Sequence, residues 1–406
     1  MNLINPAESL FEITERYPQT VDVFVRNGFP QMADEQKRRL LGRSLRLDIA
    51  LSMKGIDLSV FMAMLEEAAS GDGNKSQDAE NKRINIKGLL PCPVRLPLQE
   101  AINAFLEKEG LQQNVNAELK AASMGLDWLK DDIGSASSVQ DLDDIYISAG
   151  FDLFFEDDYF GRFIKSKDLT DPLPWKQINA DFDNESHKLK DPESRYGILA
   201  VVPAIFLVNQ QELYQRPVPQ SWSDLLDEQW EDSISLPVSD FDLFNAIMLT
   251  IRNTYGMEGV AALGRNMQKS LHPAQMLKSD RTKSQKPAVT IMPYFFTRMA
   301  KAGGPMMAVW PKDGAIVSPI FVVGKESKKQ ELEKISAFLG GEQLASILAH
   351  QGLFPSLHPE IDNGIPMENK YLWLGWDYIN KHNLNQEFEV CTAVFDEAFQ
   401  SKKSLV

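Results

Sequence analysis

Residues 84–121 read INIKGLLPCPVRLPLQEAINAFLEKEGLQQNVNAELKA. The first seven have the apolar, branched character of a strand, and 97–107 carry apolar side chains at helical spacing. Pro97 falls in the first turn of that predicted helix, where a missing N–H costs nothing. Residues 115–119 predict a second strand, a helical stretch follows from Met124, and 144–148 (DIYIS) predict a third strand. Strand–helix–strand–helix–strand order predicts an open α/β sheet rather than a bundle or a sandwich. Ligands of such sheets gather beyond the carboxyl ends of the strands. The segments 91–97 (PCPVRLP) and 149–159 (AGFDLFFEDDY) are therefore the first places to look for a site.

Downstream, a second α/β unit begins after Arg195. A long apolar run at 196–208 is followed by turn-rich 217–221, a short helix at 222–226 and a strand at 233–237 (SISLP). Ser239, Asp240 and Asp242 introduce an apolar helix over 241–252, a start resembling a capping box. Further strands are predicted at 288–292, 307–310 and 316–323, the last two flanking Lys312-Asp313-Gly314; from Lys325 onward helices predominate. Upstream, 70–82 (SGDGNKSQDAENK) hold no apolar residue larger than alanine, so the stretch cannot bury a face and reads as a linker. Before it, Leu10, Ile13, Tyr17 and Val21, then Leu40, Leu41, Leu45, Ile49 and Leu51, form helical stripes. Gly28 is placed to cap one helix and Asp57 or Ser59 to start the last. The predicted organisation is a helical domain over 1–69, a linker over 70–83 and an α/β region over 84–406.

Length and composition agree with this division. The 406 residues exceed one ordinary core, and 43% hydrophobic with 24% charged residues is globular composition. Against 42 Lys and Arg stand 57 Asp and Glu, a formal net charge of −15. Such an excess repels phosphate backbones, so neither nucleic acid nor an anionic membrane is an expected partner. Cys92 and Cys391 are too far apart in sequence to suggest a framework or a ligand cluster. The first 20 residues carry Glu8, Glu12 and Glu15 and lack the basic start and apolar run of a secretory signal. The longest apolar stretch, 197–208 (GILAVVPAIFLV), is shorter than the ~20 residues that span a bilayer. The expectation is a cytoplasmic protein without membrane insertion.

Three motifs carry a resemblance. They are Pro219-Gln220-Ser221-Trp222-Ser223-Asp224-Leu225-Leu226, Tyr255-Gly256-Met257-Glu258-Gly259 and Val309-Trp310-Pro311-Lys312-Asp313-Gly314-Ala315. In this order, with strands between them, the chain from 84 to 361 resembles the type 2 periplasmic-binding-protein fold of ABC-transporter solute-binding proteins, nearest the iron/thiamine/polyamine-like branch. The resemblance implies two lobes joined by crossing strands and closing on a ligand like a hinged clamp. Lobe one would comprise about 84–191 and 303–406, and lobe two about 196–301. The N-terminal block, through Glu15-Arg16-Tyr17-Pro18, Asn27-Gly28-Phe29 and Met53-Lys54-Gly55-Ile56-Asp57-Leu58, resembles a small helical domain of unknown function found beside hybrid-cluster and iron-centre repair proteins. Some of those relatives carry cysteines just after the glycine–phenylalanine pair. This chain has Pro30-Gln31-Met32 there, so interaction or regulation, rather than a thiol role, is what the resemblance implies.

The residues offer several ligand-binding candidates. Cys92, flanked by Pro91 and Pro93 at the end of the first strand, is either a cleft thiolate able to bind a soft metal or react, or a buried inert cysteine. Arg95 suits a ligand carboxylate or phosphate, or an ordinary salt bridge. Ser239 and Asp240 either cap their helix or bind a ligand there, the aspartate favouring an amine or hydroxyl. Asp157, Asp158 and Tyr159 offer the same chemistry, or a solvated helix face. Phe151, Tyr159, Met292, Tyr294 and Trp310 belong to the core, or else line a cleft suited to an organic ligand with an apolar or flat part. No metal or cofactor site is expected. The five histidines show no ligand spacing, and Tyr294 is followed by Phe295 and Phe296 where iron-binding relatives use adjacent tyrosines. No nucleophile–base motif or phosphate loop is present, so no catalytic residue is assigned. The expected function is non-catalytic capture of a small-molecule ligand by lobe closure, as a carrier or sensor. An ABC transporter is the partner implied by resemblance, and a protein partner is implied for the helical domain. The alternatives are an enzyme on this scaffold using Cys92, and an interaction scaffold acting through the helical domain.

Overall fold

The computed structural model describes residues 3–26, 29–43, 45–54, 58–69, 83–122, 125–184, 188–237, 241–270, 286–299 and 303–401. The chain divides into two compact units, residues 1–83 with 120–125, and residues 84–119 with 126–406. The expected linker 70–82, the Gly28 cap and the Asp57 cap lie outside the described residues.

The helical unit contains α1 (Leu10–Arg16), α2 (Thr20–Arg26), α3 (Glu35–Leu41), α4 (Leu47–Lys54) and α5 (Leu58–Ala69). Ser9 starts α1 through a reciprocal cap. Its hydroxyl accepts from the Glu12 N–H at 3.2 Å, and the Glu12 carboxylate accepts from the Ser9 N–H at 2.9 Å. The core gathers around Phe24, Phe29 and Phe61, whose ring centroids lie 5.4–6.2 Å apart.

The larger unit opens as its sequence predicts, with β1 (Ile84–Leu90), α6 (Arg95–Lys108), β2 (Val115–Ala121), α7 (Asp127–Ser135) and β3 (Ile145–Ala149). Two short helices follow, α8 (Phe151–Phe155) and α9 (Phe160–Lys165). Next come β4 (Leu169–Thr170), β5 (Gly197–Asn209), α10 (Trp222–Leu225), β6 (Ile234–Leu236), α11 (Phe241–Asn266), β7 (Met267–Ser270), β8 (Val289–Pro293), β9 (Met306–Val309) and β10 (Ala315–Lys325). The chain ends with α12 (Lys329–Leu339), α13 (Glu342–Ser346), β11 (Tyr371–Leu372), α14 (Trp376–Lys381) and α15 (Leu384–Ser401). Helix α11 breaks at Gly256, whose φ of 71° favours glycine.

The strands form one sheet in the order β2-β1-β3-β10-β5-β8-β6-β7. Its two lobes are the parallel groups around β1 and β3 and around β6 and β8. The antiparallel pair β5–β10 crosses between them, Gly197 lying opposite Val322 and Ala204 opposite Ile316. Each crossing strand carries a proline, which would weaken an ordinary central strand. Here Pro203 directly precedes the residue where β5 takes up β8 (Ala204 opposite Pro293), and Pro319 directly precedes the residue where β10 takes up β3 (Ile320 opposite Ala149). Both prolines therefore sit where a strand exchanges one neighbour for another. Apolar residues on the two faces of the crossing bury into separate cores, one under α8, α11 and α15 and one under α6 and α12.

Candidate functional site

The three sequence motifs converge on one buried knot in the β6–β8 lobe. The Asp313 carboxylate accepts hydrogen bonds from the Trp222 N–H and the Tyr255 hydroxyl, each at 2.8 Å, and the Trp222 indole N–H donates to the Gly314 carbonyl at 2.9 Å. The Ser221 hydroxyl caps α10, accepting from the Asp224 N–H at 3.2 Å. Burial, then the hydrogen bond to Asp313, lift the Tyr255 phenol above its ordinary range. Both bonds to Asp313 fall on its Oδ2, while its Oδ1 is buried without a partner. The motifs shape the fold rather than a ligand surface.

The chemistry lies instead around the crossing strands. The carboxyl ends of β1, β3 and β8 all reach this region, since Ala149 lies opposite Ile320 and Pro293 opposite Ala204. After β1, Cys92 and Pro93 are exposed in a 3-10 turn anchored by fully buried Val94. The exposure of Cys92 corrects the buried, inert alternative: flanking prolines hold the turn outward while Val94 takes the place in the core. Arg95 is half-buried and donates to the Gln99 side chain at 3.2 Å.

The two lobes touch beside this turn. Segment 355–357 pairs with β5 at 199–201, on the same edge where β8 pairs further along. The turn after β8, Tyr294–Met299, consequently meets the segment leading into 355–357. Phe295 packs on Phe354 with ring centroids 5.0 Å apart. The Arg298 guanidinium donates to the Gln351 carbonyl at 2.6 Å and to the His350 carbonyl, at the end of a π-helical turn over Ile347–Gln351. Within the crossing, the Ser318 hydroxyl is buried without a hydrogen-bond partner. Sequence reasoning passed over Phe295, Arg298 and Ser318, because their significance depends on which distant segments meet there.

Two of the named aromatics do come together. Tyr294 and Trp310 meet at 5.2 Å, edge to face, and Trp310 meets Tyr371 in the same way at 5.5 Å. The Trp310 indole N–H donates to the Lys370 carbonyl at 2.6 Å. The Tyr371 hydroxyl has no partner, and burial, reinforced by Asp181 and Tyr294, holds its pKa above the usual phenol range. The other candidates separate. Met292 is fully buried against Leu207, and Phe151 is buried beside Phe155 and Trp373. Tyr159 precedes α9 with the Lys130 ammonium 5.3 Å from its ring centroid. Asp157 pairs with Lys165 on the surface. Ser239 and Asp240 lie outside the described residues.

Among the described residues no group of three or more His, Cys, Asp or Glu side chains is arranged to hold a metal ion. No helix among them is long and apolar enough to cross a membrane. Two cavities of about 10 Å³, each about the size needed for one water, border the core under α8, α11 and α15. One is lined by Asp171, Lys190 and Tyr196, the other by Phe151, Asn245 and Phe388.

Residues 140–382 match the family described as bacterial extracellular solute-binding protein, and residues 4–62 match a domain of unknown function. No curated protein sequence matches the chain. Among solved structures, the ferric binding protein from Campylobacter jejuni is similar with a TM-score of 0.55 at 14% identity, covering 78% of this chain and 99% of its own. A Trichodesmium protein in complex with iron and citrate gives 0.54 at 13% identity, with 77% and 99% covered. A periplasmic binding protein from Actinobacillus pleuropneumoniae, with fructose-6-phosphate bound, gives 0.53 at 14% identity, with 79% and 99% covered. These likenesses show the two-lobed fold.

Proposed function

The chain belongs to the bacterial extracellular solute-binding protein family, and from that premise we propose that it holds a small solute where β5 and β10 cross, gripping and releasing it as the lobes close and part. The carrying observation is that strand ends from both lobes meet at this crossing, with Phe295 and Arg298 of one lobe seated on Phe354, Gln351 and His350 of the other. Parting this clasp uncovers one edge of the second core at Phe354, to which Phe295 contributes a partly buried ring. Entry of a solute requires the clasp to open, because the two cavities hold no more than a water.

Cys92, Pro93, Arg95, Tyr294 and Trp310 are the proposed solute contacts. They follow strand ends or turns near the crossing and keep side chains half-buried or exposed. Met292 and Phe151 are buried and stand outside the proposed contacts. The action is binding without turnover, handing the solute to a transporter or reporting its level. A cytoplasmic place of action is part of the proposal. The exposed apolar side chains of that unit, Leu40, Ile49 and Met53, are the surface through which it would meet a protein partner.

Native mass spectrometry of the full chain tests the reading. The expected result is a retained small molecule whose removal and return change the distance between the lobes. Cys92→Ala is expected to keep that response with at most a modest loss of affinity. Absence of any retained or rebinding solute, or a chemical turnover lost with Cys92→Ala, would overturn it.

A further inference from the structure

We propose that the chain pairs with a second copy of itself, α3 of each copy docking on the outer face of α15 of the other. The inference goes beyond solute binding; it rests on the reading of Leu40 as a partner surface and names that partner. Residues 36–47 (QKRRLLGRSLRL) hold five basic residues and no acid, in a chain whose net charge is −15. Locally, therefore, the helical unit attracts the acidic surface that the rest of the chain supplies. None of the described residues of α3 is buried. Arg38 is half-buried and donates to the Met32 and Ala33 carbonyls, whereas Lys37, Arg39, Leu40 and Arg43 are exposed, Leu40 at 77%. The Arg43 guanidinium is held over the Phe11 ring, 4.7 Å from its centroid. Arg39 pairs with Glu35 at 2.8 Å in a surface contact that contributes little and leaves both side chains mostly exposed. A helix of seven residues is marginal alone, so one with this little cover gains from packing against another.

Helix α15 presents the complement. Its 18 residues include Glu387, Glu389, Asp396 and Glu397 and no basic residue. Its inner face is committed to α11: Phe388 and Phe395 pack edge-on against Phe244, and Glu387 binds Arg252 at 2.6 Å. The outer face carries Glu389, Val390, Ala393, Asp396 and Glu397, all exposed, Val390 at 49%. Along α15 the order is acid, apolar, acid over 389–397, about 12 Å at the helical rise; along α3 it is base, apolar, base over 37–43, about 9 Å. Leu40 then meets Val390 and Ala393, and the basic groups meet the flanking carboxylates. Pairing α3 with α3 would set base against base, and α15 with α15 acid against acid, so charge favours the unlike match. A one-way contact of this kind continues into a filament, whereas reciprocal exchange closes it as a two-fold dimer. So small an interface makes a weak dimer whose stability falls with salt.

Sedimentation velocity of the full chain, from low to high micromolar concentration and at low and high salt, tests the proposal. The expected result is a monomer–dimer equilibrium that shifts to monomer in high salt. Lys37→Glu with Arg43→Glu, or Glu389→Lys with Glu397→Lys, should each weaken the dimer about ten- to hundredfold. Leu40→Ser should weaken it without changing its salt dependence. Mixing the two charge-reversed chains should restore a dimer containing one of each, since each then meets its complement at both contacts. Restoration also shows that both variants fold. A chain that stays monomeric at every concentration, a dimer indifferent to salt or to either reversal, or no restoration on mixing would overturn the proposal. Solute retention by the monomeric variants separates the two readings: a monomer that still holds its solute overturns only the pairing when it is the unaltered chain, and a dimer without any solute overturns only the solute reading.

Discussion

Truncating Phe295 should unfasten the lobes far more than truncating Arg298. Phe295 is half-buried against Phe354, so Phe295→Ala loses about 1 kcal/mol of burial and about 1 kcal/mol of ring–ring contact. Two kcal/mol moves the equilibrium between joined and parted lobes by about thirtyfold. Arg298 is exposed, and its bonds to the Gln351 and His350 carbonyls compete with water. Arg298→Ala should therefore cost about 1 kcal/mol, or about fivefold. The two side chains reach neighbouring parts of one segment, so the double variant should approach a hundredfold without strict additivity. Dyes at Lys108, at the end of α6, and at exposed Tyr214, after β5, report the separation of the lobes by energy transfer. Exposed Cys92 must first be replaced by serine, whereas Cys391 is buried. Both variants should lower transfer in the solute-free protein, in the stated order, while the urea midpoint of the larger unit moves little. Unchanged transfer in the double variant would refute the clasp.

Asp313→Ala should destabilise the larger unit by about 2–4 kcal/mol, because the Trp222 N–H and Tyr255 hydroxyl lose their acceptor in a buried setting. Urea unfolding measures this, and a loss of solute affinity in excess of the loss of folding would contradict the structural role. Asp171, pushed up to about 6 by burial from 3.8, makes folding take up a proton. Its contribution is fully present below about pH 4 and is lost as pH rises through 6. Asp171→Asn should therefore match the native chain at pH 4 and exceed it by about 2–3 kcal/mol at pH 7. The same difference at every pH between 4 and 7 would exclude this origin.

The fold was legible because its evidence is local. The strand at 84–90, the helix after it and the strand expected at 144–148 each show their period within a few residues, and the long run at 197–208 reads better as a buried strand than as a membrane span. The prolines in the crossing strands mark the exchange, since Pro203 and Pro319 each precede a change of neighbour. One stretch gave no local signal of its bounds. The stretch 151–165 folds into α8 and α9, yet its acidic break at Glu156-Asp157-Asp158 leaves neither half long enough to show a helical stripe. Its helices are held by contacts from elsewhere, Phe154 packing on Phe321 at 4.8 Å.

The site was illegible for a different reason. The motifs that identified the fold stand out because Trp222, Tyr255, Asp313 and Gly314 must satisfy one another, and few residue types can do so. A solute contact has no such partner within the chain. Tyr294 and Trp310 were visible as candidates, but nothing in the sequence joined them to Tyr371, which pairs through β11 with the start of β10. Buried polar atoms left unpaired, such as the Ser318 and Tyr371 hydroxyls, carry a desolvation cost that only a donor or acceptor from outside the chain can offset. In a protein that exists to hold a solute, those atoms are a better guide to the ligand than the motifs that announce the family.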